Sequence, residues 1–224
     1  MITATLGLGG GILLIAFMPG ILPPAAVVPV HGVVQLASNT SRAVSGWPHL
    51  QWRLVGPFVL GAAAGAALAA PLVKAIPDEY LPLLLGAFIL VSTWGPKPRR
   101  AWRLPGTFVS VGFMQTGLSL FVGAAGPLNM PFLLRENLGR DRTVVTHGAH
   151  MVCVHGFKLG AFVLLGFDFT PYVPLALGMV ASVTLGSYLG TRWRGRLPEA
   201  LFARLLRLLV TALALRMIVQ ALLT

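Results

Sequence analysis

His31, Gln35 and Asn39 recur every fourth residue in an otherwise apolar stretch. At helical periodicity that interval puts all three on one face. His147, Met151 and His155 repeat the interval further along, with His150 between them. Histidine can donate to an oxyanion or take up a proton, and its reference pKa of about 6.5 suits a proton-coupled carrier. Polar side chains at membrane depth face a bundle interior or a wet cavity. Their plainer role is hydrogen bonding between helices, worth about 0.6 kcal/mol each. Two glycine clusters accompany these stripes: Gly7-Leu8-Gly9-Gly10-Gly11 and Gly123-Ala124-Ala125-Gly126-Pro127. Relative to alanine, glycine costs a helix about 1 kcal/mol and proline about 3. In a bilayer such a break survives only where protein or a wet cavity satisfies the freed backbone groups. A half-helix beginning at Gly9, Gly10 or Gly11, or just past Gly126, would present unpaired N–H groups and about half a positive charge. That is an anion site needing no cationic side chain.

The predicted substrate-binding set is therefore Gly9, Gly10, Gly11, His31, Gln35, Asn39, Gly126, Asn129, His147, His150 and His155. Gln115, Thr116 and Ser119 flank the second break and are candidates for the same cavity. Arg42 and Lys158 stand at corresponding helix ends. They either guide an anion inward or snorkel into headgroups. A single glycine cluster reads as tight helix packing. Two at corresponding places read as a transporter site near the membrane midplane.

The elements that position these residues are membrane helices. The chain has 224 residues, 56% hydrophobic and 10% charged, and a mean hydropathy of +0.81; soluble domains carry roughly 25% charged residues. Residues 1–41, 54–73, 104–134 and 169–191 hold no charge, and a bilayer core asks for runs of about 20 apolar residues. The net charge of +11 is explained by basic cytoplasmic loops rather than by nucleic acid. One cysteine, Cys153, excludes a disulfide within the chain.

Taken in order, the first element runs from Met1 to about Met18 and stops at Pro19-Gly20-Ile21-Leu22-Pro23-Pro24. The second covers about Ala25 to Val44, and the third about Arg53 to Ala75. The third carries the spacing Gly61-xxx-Gly65, which favours close helix approach. A fourth follows Pro77 and ends near Trp94. The second half repeats this order. At an offset of 116, Gly7 and Gly10 meet Gly123 and Gly126, His31-Gly32 meets His147-Gly148, and Arg42 meets Lys158. At an offset of 121, Gly65 meets Gly186 and Ile76-Pro77-Asp78 meets Leu197-Pro198-Glu199. The expected organisation is a first repeat over 1–96, a basic cytoplasmic loop over 97–103, and a second repeat over 104–224. Only six residues precede Gly7, so the first element is expected to lack most of the leading half-helix of its counterpart, either because further residues stand upstream or because the domain is shortened.

Eight full crossings would leave the basic residues evenly divided, against the positive-inside tendency. With the first and fifth elements re-entrant, only Lys74, Lys158 and Arg216 fall outside, and the other fourteen of seventeen basic residues fall inside. Each half then crosses three times, so the halves face opposite ways. The expected fold is an all-α integral membrane protein of two inverted four-element repeats, each with a Gly-broken or re-entrant first element. Ordinary crossings with a mixed charge signal are the competing topology.

This order is similar to the TauE/SafE family, the sulfite exporter family of bacterial permeases. The resemblance rests on Gly7-Leu8-Gly9-Gly10-Gly11-Ile12-Leu13-Leu14, the small-residue-rich second helix, Gly61 to Gly65, Pro77 before an apolar helix, and the second copy of the whole. It implies a multi-pass inner-membrane permease for small sulfur-containing anions: sulfite, sulfonates such as sulfoacetate, or thiosulfate-like species. The expected partners are that anion, the lipid bilayer, a coupling proton or ion, and a second copy of the chain, with no nucleic acid. No cofactor is expected. His147, His150, Cys153 and His155 are also zinc or copper ligand types, which gives a metal-ion permease or channel as the alternative. No carboxylate lies near them within the membrane. A membrane subunit that only packs against a partner is a third reading. There is no Ser-His-Asp set, no HExxH and no paired-carboxylate arrangement, so an enzyme is not expected. No ATP-binding motif is present either, which favours secondary transport.

Overall fold

The computed structural model describes residues 10–95, 106–193 and 199–223, and all regular structure among them is helical. Met1–Gly9, with Gly7 and Gly9, and the basic loop 97–103 lie outside the described residues.

Among the described residues nine α-helices follow one another: α1 (Gly10–Phe17), α2 (Pro24–Ser45), α3 (Trp52–Lys74), α4 (Leu81–Trp94), α5 (Thr107–Val122), α6 (Met130–Arg135), α7 (Arg140–Leu164), α8 (Val173–Trp193) and α9 (Glu199–Leu223). Their ends are set by proline and glycine. Pro24 opens α2 at a position where no intrahelical N–H bond is lost, and Gly46 closes it. The expected second break is present. α5 stops at Gly123, a short 3-10 turn runs over Gly126–Asn129, and the six-residue α6 follows. Gly123 has φ +67°, which disfavours a side chain there.

Among the described residues two helical stretches are long and apolar enough to cross a bilayer: Trp52–Lys74, which is α3, and Arg204–Leu223 within α9. α2 and α7 are as long, at 22 and 25 residues, but His31, Gln35, Asn39, His147, His150 and His155 lower their hydropathy. Both are central. α2 packs along α7, α3 along α5, and α4 along α9. α7 also touches α3, and α2 touches α8.

α2 and α7 run antiparallel. A Cβ on Gly32 would lie 2.9 Å from Lys158 Cε and 3.1 Å from Leu159. At the other end, a Cβ on Gly148 would lie 3.5 Å from the backbone of Asn39 and Ala43. The small-residue expectation for the third element is met with backbone, not side chain. Gly61 faces Val109 O and Gly65 faces Phe113 O across the α3–α5 contact. Two apolar clusters flank the central pair. One joins α1, α2, α4 and α9 through Ile15, Val27, Leu85, Ile89 and Ala214. The other joins α3, α5 and α7 through Phe58, Val111 and Val154, with Leu133 of α6.

Candidate functional site

The two polar stripes meet. A cavity of about 40 Å³ lies between α2 and α7 and is closed by the two glycine-rich segments. By that measure it holds roughly three waters, room for a solute of a few heavy atoms. From α2 it takes His31, Gln35, Asn39 and Arg42; from α7, His147, Met151 and His155. Gly11 and Ile12 of α1 and Ala124, Gly126 and Pro127 of the second break complete the wall. Among the described side chains, no acidic residue lines it.

Regular helix geometry explains the convergence. Residues at i, i+4, i+8 and i+11 fall within an arc of about 80°, and i+11 returns to within about 20° of i. His31, Gln35, Asn39 and Arg42 are one such series; His147, Met151, His155 and Lys158 are the other. Extending the stripe by that last step is the sequence signal that brings in Arg42 and Lys158.

Arg42 is half-buried and donates to Asn39 Oδ1 at 3.1 Å, while Asn39 Nδ2 donates to Gln35 O at 2.7 Å. The guanidinium is thus held on the cavity wall. Lys158 does not snorkel. It is 0% exposed and donates from Nζ to Gly123 O at 3.1 Å, just behind the cavity wall at Ala124. His31 Nε2–H donates to Gly11 O at 3.0 Å. The His31 and His155 rings meet edge to face, with centroids 5.9 Å apart. His31, His155 and Ala124 are buried, whereas Gln35, Arg42, Gly126 and Pro127 are partly exposed. The cavity therefore has a wetter end near Arg42 and a closed floor at the two histidines.

Several candidates lie elsewhere. Gly9 is outside the described residues. Gly10 opens α1, is exposed, and a Cβ on it would meet nothing within 4 Å. Asn129 is fully buried beside the cavity and braces it. Its Oδ1 accepts from His147 Nδ1 at 2.7 Å, and its Nδ2 donates to His150 Nδ1 at 3.2 Å. His150 then donates Nε2–H to Leu54 O at 3.3 Å and stacks on Phe58 with ring centroids 4.0 Å apart. Both its nitrogens are engaged, and it faces α3. The reason is angular: His150 is one residue off the 147–151–155 series, about 100° round the helix. Gln115 and Ser119 are also buried off the cavity and hold the break itself. Gln115 Nε2 donates to Ala125 O at 2.9 Å, and Ser119 Oγ to Gly123 O at 3.3 Å. Thr116 is buried on the same helix.

The second break offers few free amides. Pro127 has no N–H, and Leu128 N–H donates to Ala125 O at 3.2 Å. Polar donors at this wall come instead from side chains on α2 and α7. No group of three or more His, Cys, Asp or Glu residues stands close enough among the described residues to hold a metal ion.

No curated protein and no solved structure matches the chain. A family model does: the sulfite exporter TauE/SafE model matches residues 1–217. With its helices, its small carboxylate-free cavity and nearly its whole length inside that match, the chain belongs to the TauE/SafE sulfite exporter family of membrane transporters.

Proposed function

We propose that the chain is a secondary carrier for a small oxyanion, sulfite or an organosulfonate, bound in the cavity between α2 and α7. One observation carries this reading. Residues drawn from both halves, among them Gly11, His31, Asn39 and Arg42 from the first and Gly126, His147 and His155 from the second, line one cavity with no acid. Histidine, amide and guanidinium groups suit an oxyanion, whereas a cation would find no carboxylate. Family membership supplies the sulfur.

The halves, 1–96 and 104–224, are inferred to be inverted repeats in a multi-pass inner-membrane protein. What supports this is the antiparallel contact of α2 with α7. Gly32 faces Lys158, and Gly148 packs against Arg42 Cβ at 3.7 Å from its own projected Cβ. Adding the sequence offset of 116 to Gly32 and Arg42 gives Gly148 and Lys158, so each contact maps onto the other with partners exchanged. A local two-fold relation has that property, and it is the arrangement of inverted-repeat carriers. The break after α5 is then a re-entrant turn, and coupling to a proton or ion is part of the same proposal.

Counterflow of labelled sulfite into proteoliposomes tests this. Uptake by the wild type is expected, and Gly126→Leu, whose side chain would fill the cavity from the break towards Met151 Sδ (3.6 Å from the projected Cβ), should abolish it while the protein stays folded. Flux of a transition metal with no anion flux would overturn the reading in favour of a metal permease.

A further inference from the structure

Hydrogen-bonding capacity is left unused at the cavity floor. His31 gives its Nε2–H to Gly11 O, since a carbonyl only accepts. In the neutral ring that leaves Nδ1 as an acceptor, and it is buried with no partner among the described residues. His155 presents a second buried Nδ1 without a partner. Beside them stands the Lys158 ammonium, with three donors and a hydrogen bond to Gly123 O. A Cβ on Gly123 would lie 3.7 Å from His31 Nδ1, so amine and imidazole converge on one glycine. The Arg53–Glu136 ion pair lies elsewhere on the molecule.

A buried polar group with no partner calls for one, and these groups ask for two different things. Lys158 asks for a negatively charged oxygen. The histidine lone pair asks for an O–H or N–H donor. Resting on the anion-carrier reading above, we propose that the floor is a binding site for a singly protonated oxyanion, the hydrogensulfite class, whose O–H donates to His31 Nδ1 while a charged oxygen accepts from Lys158 Nζ. The anion replaces Gly123 O as the partner of Lys158. An organosulfonate has only acceptor oxygens, so it satisfies Lys158 but sets acceptor against acceptor at His31. A site built to pair a polar group discriminates strongly against a ligand that leaves it unpaired. Of the two cargo classes in the carrier reading, this floor selects the one that carries a proton.

Two analogues of like shape and charge separate the possibilities: methylphosphonate, at a pH where it keeps one O–H, and methanesulfonate, which has none. Each is titrated against labelled sulfite counterflow in proteoliposomes. Half-inhibition by methylphosphonate is expected at a concentration about tenfold lower or more, as one buried unpaired group implies. Lys158→Met should weaken both analogues at least tenfold, and Lys158→Arg should keep both. His31→Phe should remove the preference and leave methanesulfonate inhibition unchanged, a split that general loosening would not give. Should His31→Phe not fold, the wild-type preference and the Lys158 pair still decide. Equal inhibition of the wild type by both analogues, or unchanged inhibition in Lys158→Met, overturns the proposal and leaves the carrier reading standing. If no sulfur oxyanion is taken up, the same analogues are compared by thermal stabilisation of the purified protein. A preference for methylphosphonate that Lys158→Met abolishes then supports the floor site while the cargo reading falls, and no preference overturns the floor site as well.

Discussion

At a sequence offset of 121, Gly61 and Gly65 of α3 fall on Ser182 and Gly186 of α8. Their surroundings differ. On α3 both glycines are buried against the backbone of α5, with Phe58 and Ala62 fully buried alongside. On α8, Gly178, Ser182 and Gly186 are exposed, Leu177 is 64% exposed, and a Cβ on Gly178 or Gly186 would meet nothing within 4 Å. Small residues permit a close approach; they do not supply the neighbour. Between apolar helices in lipid the gain comes from packing contact and a few hydrogen bonds. α5 has both, because its C-terminal break is tied through Gln115 and Asn129 to the chain around it.

The sharpest way to break this comparison is a large side chain on each helix. Gly61→Leu or Gly65→Leu must push α5 away and is expected to cost about 3 kcal/mol or more. In detergent it should lower the thermal midpoint steeply or prevent folding. Gly178→Leu on α8 should change stability by less than about 0.5 kcal/mol, as at an open surface site. If Gly178→Leu destabilises as much as Gly61→Leu, α8 is covered in the native protein and the contrast fails.

A smaller effect sharpens the polar side of the contrast. Asn129→Ala leaves His147 Nδ1 and His150 Nδ1 buried without a partner, at a cost of about 1–3 kcal/mol. It should also slow anion counterflow, because His147 loses the bond that fixes its ring. The control on α8 is Ser182→Ala. Ser182 Oγ donates to Gly178 O at 2.8 Å on an exposed face, and its removal should fall within about 0.5 kcal/mol of the wild type. Differential scanning fluorimetry of the two variants gives the comparison directly.

How much of this was legible in the sequence depends on the residue. The order of helices was, since proline and glycine mark their ends and apolar runs set their lengths. So was the stripe His31–Gln35–Asn39, because helical spacing alone puts those residues on one face. The backbone contact at Gly61 and Gly65 followed from small-residue spacing, but the same spacing gave no sign that α8 would stand open. Which residues brace the cavity and which line it was not legible. Asn129 and Gln115 sit beside a break, and a polar residue there can turn to the cavity or to the freed carbonyls with equal ease. Lys158 was the largest gap. A lysine near a helix end ordinarily reaches headgroups, and only its place on the His147–His155 face argues otherwise.

The ion pair of Arg53 on α3 with Glu136 after α6 adds a third tie on the α3 side, at 3.0 Å with side chains 62% and 28% exposed. So wet a pair is worth no more than about 0.5 kcal/mol. Arg53→Ala should lower the thermal midpoint slightly in low salt and not at all in high salt, where exposed charges are screened. A loss of the size expected for Asn129→Ala would mean that the pair organises the loop rather than decorating it.

The smallest effect belongs to the turn that leads into α8. In the exposed turn before it, Asp168 Oδ1 accepts from Thr170 N–H at 2.9 Å, and that bond holds the carboxyl below its ordinary value of 3.8. A lowered carboxyl pKa adds stability above the unfolded value, and the gain is lost as pH falls through the lower folded value. The contribution is therefore present at neutral pH and disappears on acidification below about pH 4. Asp168→Asn keeps an acceptor oxygen but not the charge, so its stability should fall less steeply than the wild type's across that acid range. Thermal unfolding of the two proteins at stepped pH measures the difference in slope. Identical slopes would mean that the charge on Asp168 contributes nothing to placing α8.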